Sequence, residues 1–121
     1  MAGVSKGAAG EVLAARYLRD HGYDILCANY RCRFGEVDII AETDTYIVFV
    51  EVKSRAQDAL YTPREAVTAE KQRRIIKTAL LFLSQHPMKK QPRFDVIEVV
   101  TAVRQPMKAL SIEHLENAYG G

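Results

Sequence analysis

The sequence has no apolar run near the ~20 residues that cross a bilayer, and its opening residues, MAGVSKGAAGEV, lack the apolar core of a secretory signal. A cytoplasmic address with no membrane partner is therefore expected. Cysteine is scarce: Cys27 and Cys32 have no second pair to complete a zinc site, so both are expected as reduced thiols on or beside a strand. Glycine and proline number only 7 and 4, and there is no repeat, low-complexity tract or linker-like stretch. That leaves one domain over residues 1–121, large enough to bury a core without disulfides. A glycine-rich phosphate loop, a nucleophile elbow and paired histidines at metal spacing are all absent. His21, His86 and His114 are scattered at element ends and are expected at the surface.

What is present is separated charge. The net charge is only +2, but residues 53–93 hold ten Lys or Arg against Asp58, Glu65 and Glu70, a local +7. The remainder carries seven basic and twelve acidic residues, a local −5. Such a chain can turn a basic face to a polyanion and keep an acidic cluster elsewhere, although Lys and Arg also serve simply to solvate a helix.

Hydrophobic periodicity and turn residues predict an α-β-β-β-α-β-α order. Ser5 can cap a helix running to about Asp20, with Gly22 at its stop. Tyr23 to Arg31 reads as a strand, and Glu36 to Glu42 with Tyr46 to Lys53 as a hairpin. Thr62-Pro63-Arg64-Glu65 has a capping-box pattern, yet the main helix is expected from about Thr68 to Gln85, where Pro87 follows. Arg93 to Val100 reads as a further strand. Ile112, Leu115, Ala118 and Tyr119 fall on one face of an expected short C-terminal helix. The fold class is α/β, a mixed sheet flanked by helices, with a core of about residues 6–100 and an extension over 101–121.

The hairpin carries the chemistry. If Asp44-Thr45 form its turn, Val37, Ile39, Ala41, Val48, Val50 and Val52 share an apolar side. The other side then sets Glu36 opposite Lys53, Asp38 opposite Glu51, and Ile40 opposite Phe49. Opposed carboxylates with Cβ atoms roughly 5 Å apart repel unless something neutralises them. A divalent cation does so, and Mg²⁺ favours one or two carboxylates with waters and a substrate phosphate. Lys53, on the same face as Glu51, is placed to orient a water or stabilise charge on a phosphate. The bland alternative is a solvated strand face with surface ion pairs of little energetic worth.

Glu11 follows Ala8, Ala15 and Leu18 at spacings of three and four, so it is expected on the inward stripe of the first helix, as a member of the acidic cluster. A place at the stripe's edge is the structural alternative. On the main helix Lys71 aligns with Arg74 and Arg73 with Lys77, against an apolar side of Ile75, Ile76, Ala79, Leu80 and Leu83. Lys71, Arg74 and Arg55 are the expected phosphate contacts, which position nucleic acid without reading its sequence. No regular interleaving of aromatic and basic residues marks a single-strand stacking platform.

The segments GEVDIIA, FVEVKSR, AVTAEKQRR and RFDV resemble the bacterial YraN-like family of uncharacterised proteins. That family is similar to the PD-(D/E)XK nuclease superfamily, in particular the archaeal Holliday-junction resolvases. The likeness covers about Lys6 to Val100, and it implies a restriction-endonuclease-like domain that hydrolyses DNA phosphodiesters with Mg²⁺ or Mn²⁺. Asp38 matches the superfamily's acidic position, Glu51 and Lys53 its (D/E)XK, and Glu11 its helix-borne acid. By this likeness Asp38, Glu51 and Glu11 bind metal and Lys53 assists the attacking water. Val37 stands where the motif has Pro. A branched DNA substrate and a homodimer are further implications, since resolvases often cut two strands as dimers. The competing expectations are an inactive nucleic-acid-binding module and a protein-interaction adaptor.

Overall fold

The computed structural model describes residues 6–58 and 67–120. Ser5 and the Thr62–Glu65 capping pattern lie outside them. Helix α1 (Lys6–Asp20) is followed by strands β1 (Asp24–Cys32), β2 (Gly35–Glu42) and β3 (Tyr46–Ala56), then helix α2 (Ala69–Gln85) and strands β4 (Gln91–Ala102) and β5 (Gln105–Tyr119). The strands form one sheet in sequence order. Only β3 and β4 run parallel, the pair that α2 separates in sequence. The result is the expected α/β domain with a mixed sheet.

The β2–β3 register is the one the hydrophobic pattern selects: Ile39 pairs with Val50, Ile40 with Phe49, Ala41 with Val48 and Glu42 with Ile47. Its turn has no Asn-Gly signal, so the side chain of Thr43 supplies the closure. The Thr43 hydroxyl accepts from Thr45 N at 3.3 Å and Tyr46 N at 3.0 Å, while Thr43 N donates to Tyr46 O at 2.9 Å.

Two apolar layers enclose the sheet. Leu13, Ala14 and Leu18 of α1 pack on Ile39, Ala41, Val48, Val50, Ile97 and Val99. Ile75, Ala79 and Phe82 of α2 pack on Ile40, Ile47, Phe49 and Phe94. Val37, expected with Ile39, lies in this second layer, so β2 reverses its faces beside Asn29 of β1, whose φ is 55°. Gly10 lets α1 approach β3, because a Cβ there would stand 2.6 Å from Ser54 Cβ.

Both helical stripes are rotated from expectation. On α1 the buried hydrophobic residues are Ala9, Leu13, Ala14 and Leu18; Ala8 is exposed and Glu11 sits at the margin. On α2, capped by the Thr68 side chain, Thr78 and Phe82 are buried and Leu80 is exposed. Thr78 tolerates burial because its hydroxyl donates to Arg74 O at 2.8 Å.

The expected C-terminal helix is instead strand β5. Its pairing with β4 is broken by register shifts at Phe94/Val96, Val100/Thr101 and Thr101/Ala102. A bulged strand changes which face successive residues take. Leu115 and Ala118, three apart, thus line one side together, while Ile112 packs toward α1 and Tyr119 toward α2. Their uneven spacing, which mimics a helical stripe, serves two faces of a sheet.

Candidate functional site

Where the ladder between β2 and β3 ends, two acids meet. Beyond the Ile39–Val50 pair, the Val52 N–H is donated to Asp38 Oδ2 at 2.8 Å, and the Asp38 carboxyl is also hydrogen-bonded to Glu51. Asp38 is 9% exposed and Glu51 5%. Burial first, then the charge of Glu51, push Asp38 up to about 7; the Val52 N–H opposes this, and Glu11 adds to it.

Glu51 holds two ammoniums. Lys71 Nζ lies 2.7 Å and Lys53 Nζ 3.3 Å from the same Oε1. Burial, and next the neighbouring Lys71, lower the Lys53 pKa against the pull of Glu51. Burial acts on Lys71 in the same sense, but its bonds to Glu51 and Lys53 win and hold it above the ordinary lysine value. Lys71 is in the first turn of α2, and Thr68 fixes that turn by accepting from Lys71 N at 3.2 Å. A cleft of about 270 Å³ opens over this cluster, lined by Gly35, Glu36, Asp38, Glu51, Lys71 and Arg74, among others.

The remaining expected residues are spread more widely. Glu11 lines a groove on the α1 side with Asn29, to which it is hydrogen-bonded, rather than the cleft of Asp38 and Glu51. It is nevertheless in electrostatic reach: burial raises its pKa, Asn29 lowers it, and Glu36 and Glu51 raise it further. Arg74 reaches the cleft while paired with Glu70 at 2.9 Å. Arg55 is turned to its own strand end, donating to Ala56 O at 3.4 Å and Gln57 O at 3.5 Å. Glu36, expected opposite Lys53, pairs with Arg31.

The donor set suits a hard cation that keeps most of its water. Two carboxylates crowd each other at the cleft, which is what Mg²⁺ or Mn²⁺ takes from a protein. A closed zinc cage is not supported, because no group of three or more His, Cys, Asp or Glu stands at metal-holding spacing among the described residues.

A second buried cluster, on the α1 face, was not legible as such. Asp95 accepts from His114 Nε2 at 2.6 Å, from Arg93 at 2.8 and 3.0 Å, and from Asn117 N at 2.9 Å. His114 is thus an interior residue and not a surface one. Its other ring nitrogen faces the Tyr17 hydroxyl at 3.3 Å. Burial would raise the Asp95 pKa, but the bonds from His114, Arg93 and Asn117 overcome it and hold Asp95 below the usual carboxylate range. The signal lay in RFDV, where Arg93 and Asp95, two apart on a strand, share a face.

Residues 10–99 match the model of the uncharacterised protein family UPF0102, and the chain belongs to that family, the YraN-like one its motifs resemble. A UPF0102 protein of Geobacter metallireducens is 46% identical over 116 residues, covering 95% of this chain and 92% of the relative. One from Sulfurihydrogenibium sp. is 44% identical over 115 residues, with 94% and 93% covered. One from Alkaliphilus oremlandii is 46% identical over 116 residues, with 93% and 96% covered. No helix among the described residues is long and apolar enough to cross a membrane.

Proposed function

We propose that this UPF0102 chain is a cytoplasmic, metal-dependent phosphodiester hydrolase acting on DNA, with branched or otherwise structured DNA as its preferred substrate. The observation that carries the reading is one buried pair of neighbouring carboxyls, Asp38 and Glu51, lining a cleft with Lys71, with Lys53 Nζ 3.3 Å from Glu51. A fold that needed only stability would gain nothing from burying a second carboxyl beside Glu51, where its charged form is disfavoured.

Asp38 and Glu51 would hold Mg²⁺ or Mn²⁺. When bound, the cation lowers the pKa of water and offsets charge on the phosphate. Lys53, held beside Glu51, would orient the attacking water and offset charge developing on the phosphate. Lys71 and Arg74, at the cleft wall, hold non-bridging phosphate oxygens. Glu11 acts from the α1 side through its field on Asp38.

Purified protein with Mn²⁺ or Mg²⁺ should nick plasmid and cut branched or flap DNA. Lys53→Ala and Asp38→Ala should each reduce cutting by at least about a hundredfold with the fold retained. The two ammoniums already on Glu51 favour a second reading, a nucleic-acid-binding module without turnover. Salt-sensitive DNA binding with no cutting across that panel would select it. An absence of DNA affinity even at low salt would reject both.

A further inference from the structure

The turn between β1 and β2 carries a pair of side chains that the hydrolytic reading leaves unused. Arg33 and Phe34 form this two-residue turn, and the Arg33 guanidinium carbon lies 4.8 Å from the centroid of the Phe34 ring. Arg33 is exposed and Phe34 half-buried. Neighbouring Arg31 is paired with Glu36, and Arg74 with Glu70. Among the described residues, no carboxylate pairs with Arg33, so its charge and its planar face remain available.

The turn is anchored to α2. Phe34 N–H donates to Cys32 Sγ at 3.4 Å, the Cys32 thiol reaches Thr78 Oγ1 at 3.5 Å, and Thr78 bonds on to Arg74 O. Gly35, with φ of 153°, brings the backbone against the helix: a Cβ there would stand 3.4 Å from Arg74 Cβ and 3.6 Å from Thr78 Oγ1. Gly35 and Glu36, the next residues along, are walls of the cleft that holds Asp38 and Glu51. Arg33 and Phe34 therefore sit on a fixed rim of that cleft.

We propose that this rim is a nucleobase-stacking subsite, in which the Arg33 guanidinium, layered on the Phe34 ring, receives the face of an unpaired base next to the phosphate in the cleft. The inference rests on the reading that nucleic acid occupies the cleft. A guanidinium plane and an aromatic ring both stack on bases, and each base has a π-face, so the subsite is indifferent to sequence. A base stacked inside a duplex offers no free face. The subsite thus favours single strands, flaps and branch points over blunt duplex. The sequence shows no regular aromatic-basic alternation; it is the tight turn that layers one such pair at the site.

The chain contains no tryptophan, so F34W carries a single indole at the subsite. In metal-free buffer at low salt, an oligothymidylate should quench the fluorescence of F34W as it saturates. F34A and R33A should each weaken single-strand affinity about ten- to a hundredfold, the range expected for one stacked base, and change blunt-duplex affinity less than twofold. Thermal melts check the fold of F34A, and R33A removes only an exposed side chain. Saturation without quenching, or single-strand affinity unchanged within twofold in R33A, overturns the subsite. If quenching and the R33A loss persist while no substrate is cut with either metal, the hydrolase reading fails and the subsite stands. If cutting depends on Lys53 and R33A binds normally, the reverse holds.

Discussion

Asp38 and Asp95 are both buried, both strand-borne, and on opposite faces of one sheet, yet their surroundings drive them in opposite directions. Asp95 receives the Arg93 guanidinium, a ring nitrogen of His114 and a backbone N–H, and its carboxyl is held below the ordinary range. Asp38 receives one backbone N–H and another carboxylate, and it is pushed up to about 7. The difference separates a carboxylate that ties the fold together from one to which we assign a cation-holding role. Asp95 spans the register shift at Phe94/Val96, where it joins β4 to Asn117 and His114 of the bulged strand. Asp38 sits where a ladder ends and a cleft begins.

The comparison breaks most readily at Asp95. Asp95→Ala leaves Arg93 and His114 buried without their shared partner, and should cost about 3–5 kcal/mol in urea denaturation. A loss below about 1 kcal/mol would mean that water or Glu116, 3.2 Å from Arg93, takes over the pairing.

The two aspartates should also shape opposite limbs of the stability profile of metal-free protein. The folded-state pKa of Asp38 is raised, so its contribution is fully present below the ordinary aspartate value near ~4 and is lost as pH rises through about 7. That of Asp95 is lowered, so its contribution is present above the ordinary value and is lost as pH falls through its depressed one. Melting temperature should therefore peak in mildly acidic buffer and decline toward pH 8. Mg²⁺ should restore it on the alkaline side, with proton release on binding. A melting temperature flat from pH 5 to 8 would remove Asp38 from the cation site.

A smaller effect with the same logic comes from Asp38→Asn. The amide keeps an acceptor for the Val52 N–H and removes the repulsion with Glu51, so at pH 8 the protein should gain about 1 kcal/mol. At pH 5, where Asp38 already carries its proton, the gain should vanish. The Mg²⁺-dependent rise in melting temperature should vanish as well.

How much of this was readable in advance follows from what each signal encodes. The β2–β3 register is a short-range, period-two pattern, and its apolar rows admit one parity, so the sequence alone sets Asp38 and Glu51 side by side. Helix faces are looser: Glu11 shares a helical spacing with Leu18, but Gly10, tucked against Ser54, rotates α1 and leaves Glu11 at the margin. Lys71 on Glu51 depends on how α2 settles across the sheet, a tertiary fact that helical spacing does not contain. The strand β5 was hidden for a sharper reason. Bulges cancel the alternation that identifies strands, and its apolar residues consequently fall at helix-like intervals.

The smallest predicted effect concerns Tyr119, which extends the comparison along the α2 face. Its ring stacks on Phe94 with centroids 5.6 Å apart, and its buried hydroxyl has no hydrogen-bond partner among the described residues. Burial, followed by the charges of Glu51, Asp95 and Asp38, pushes its pKa up and keeps the proton on the oxygen. Tyr119→Phe keeps the stack and deletes an unmet donor, so stability should rise by no more than about 1 kcal/mol. On the α1 face the analogous deletion, Tyr23→Phe, removes an acceptor that Arg93 uses at 2.7 Å and should destabilise by a similar amount. Opposite signs in the paired melts would extend the contrast beyond the two aspartates. Equal losses would show that the Tyr119 hydroxyl is satisfied.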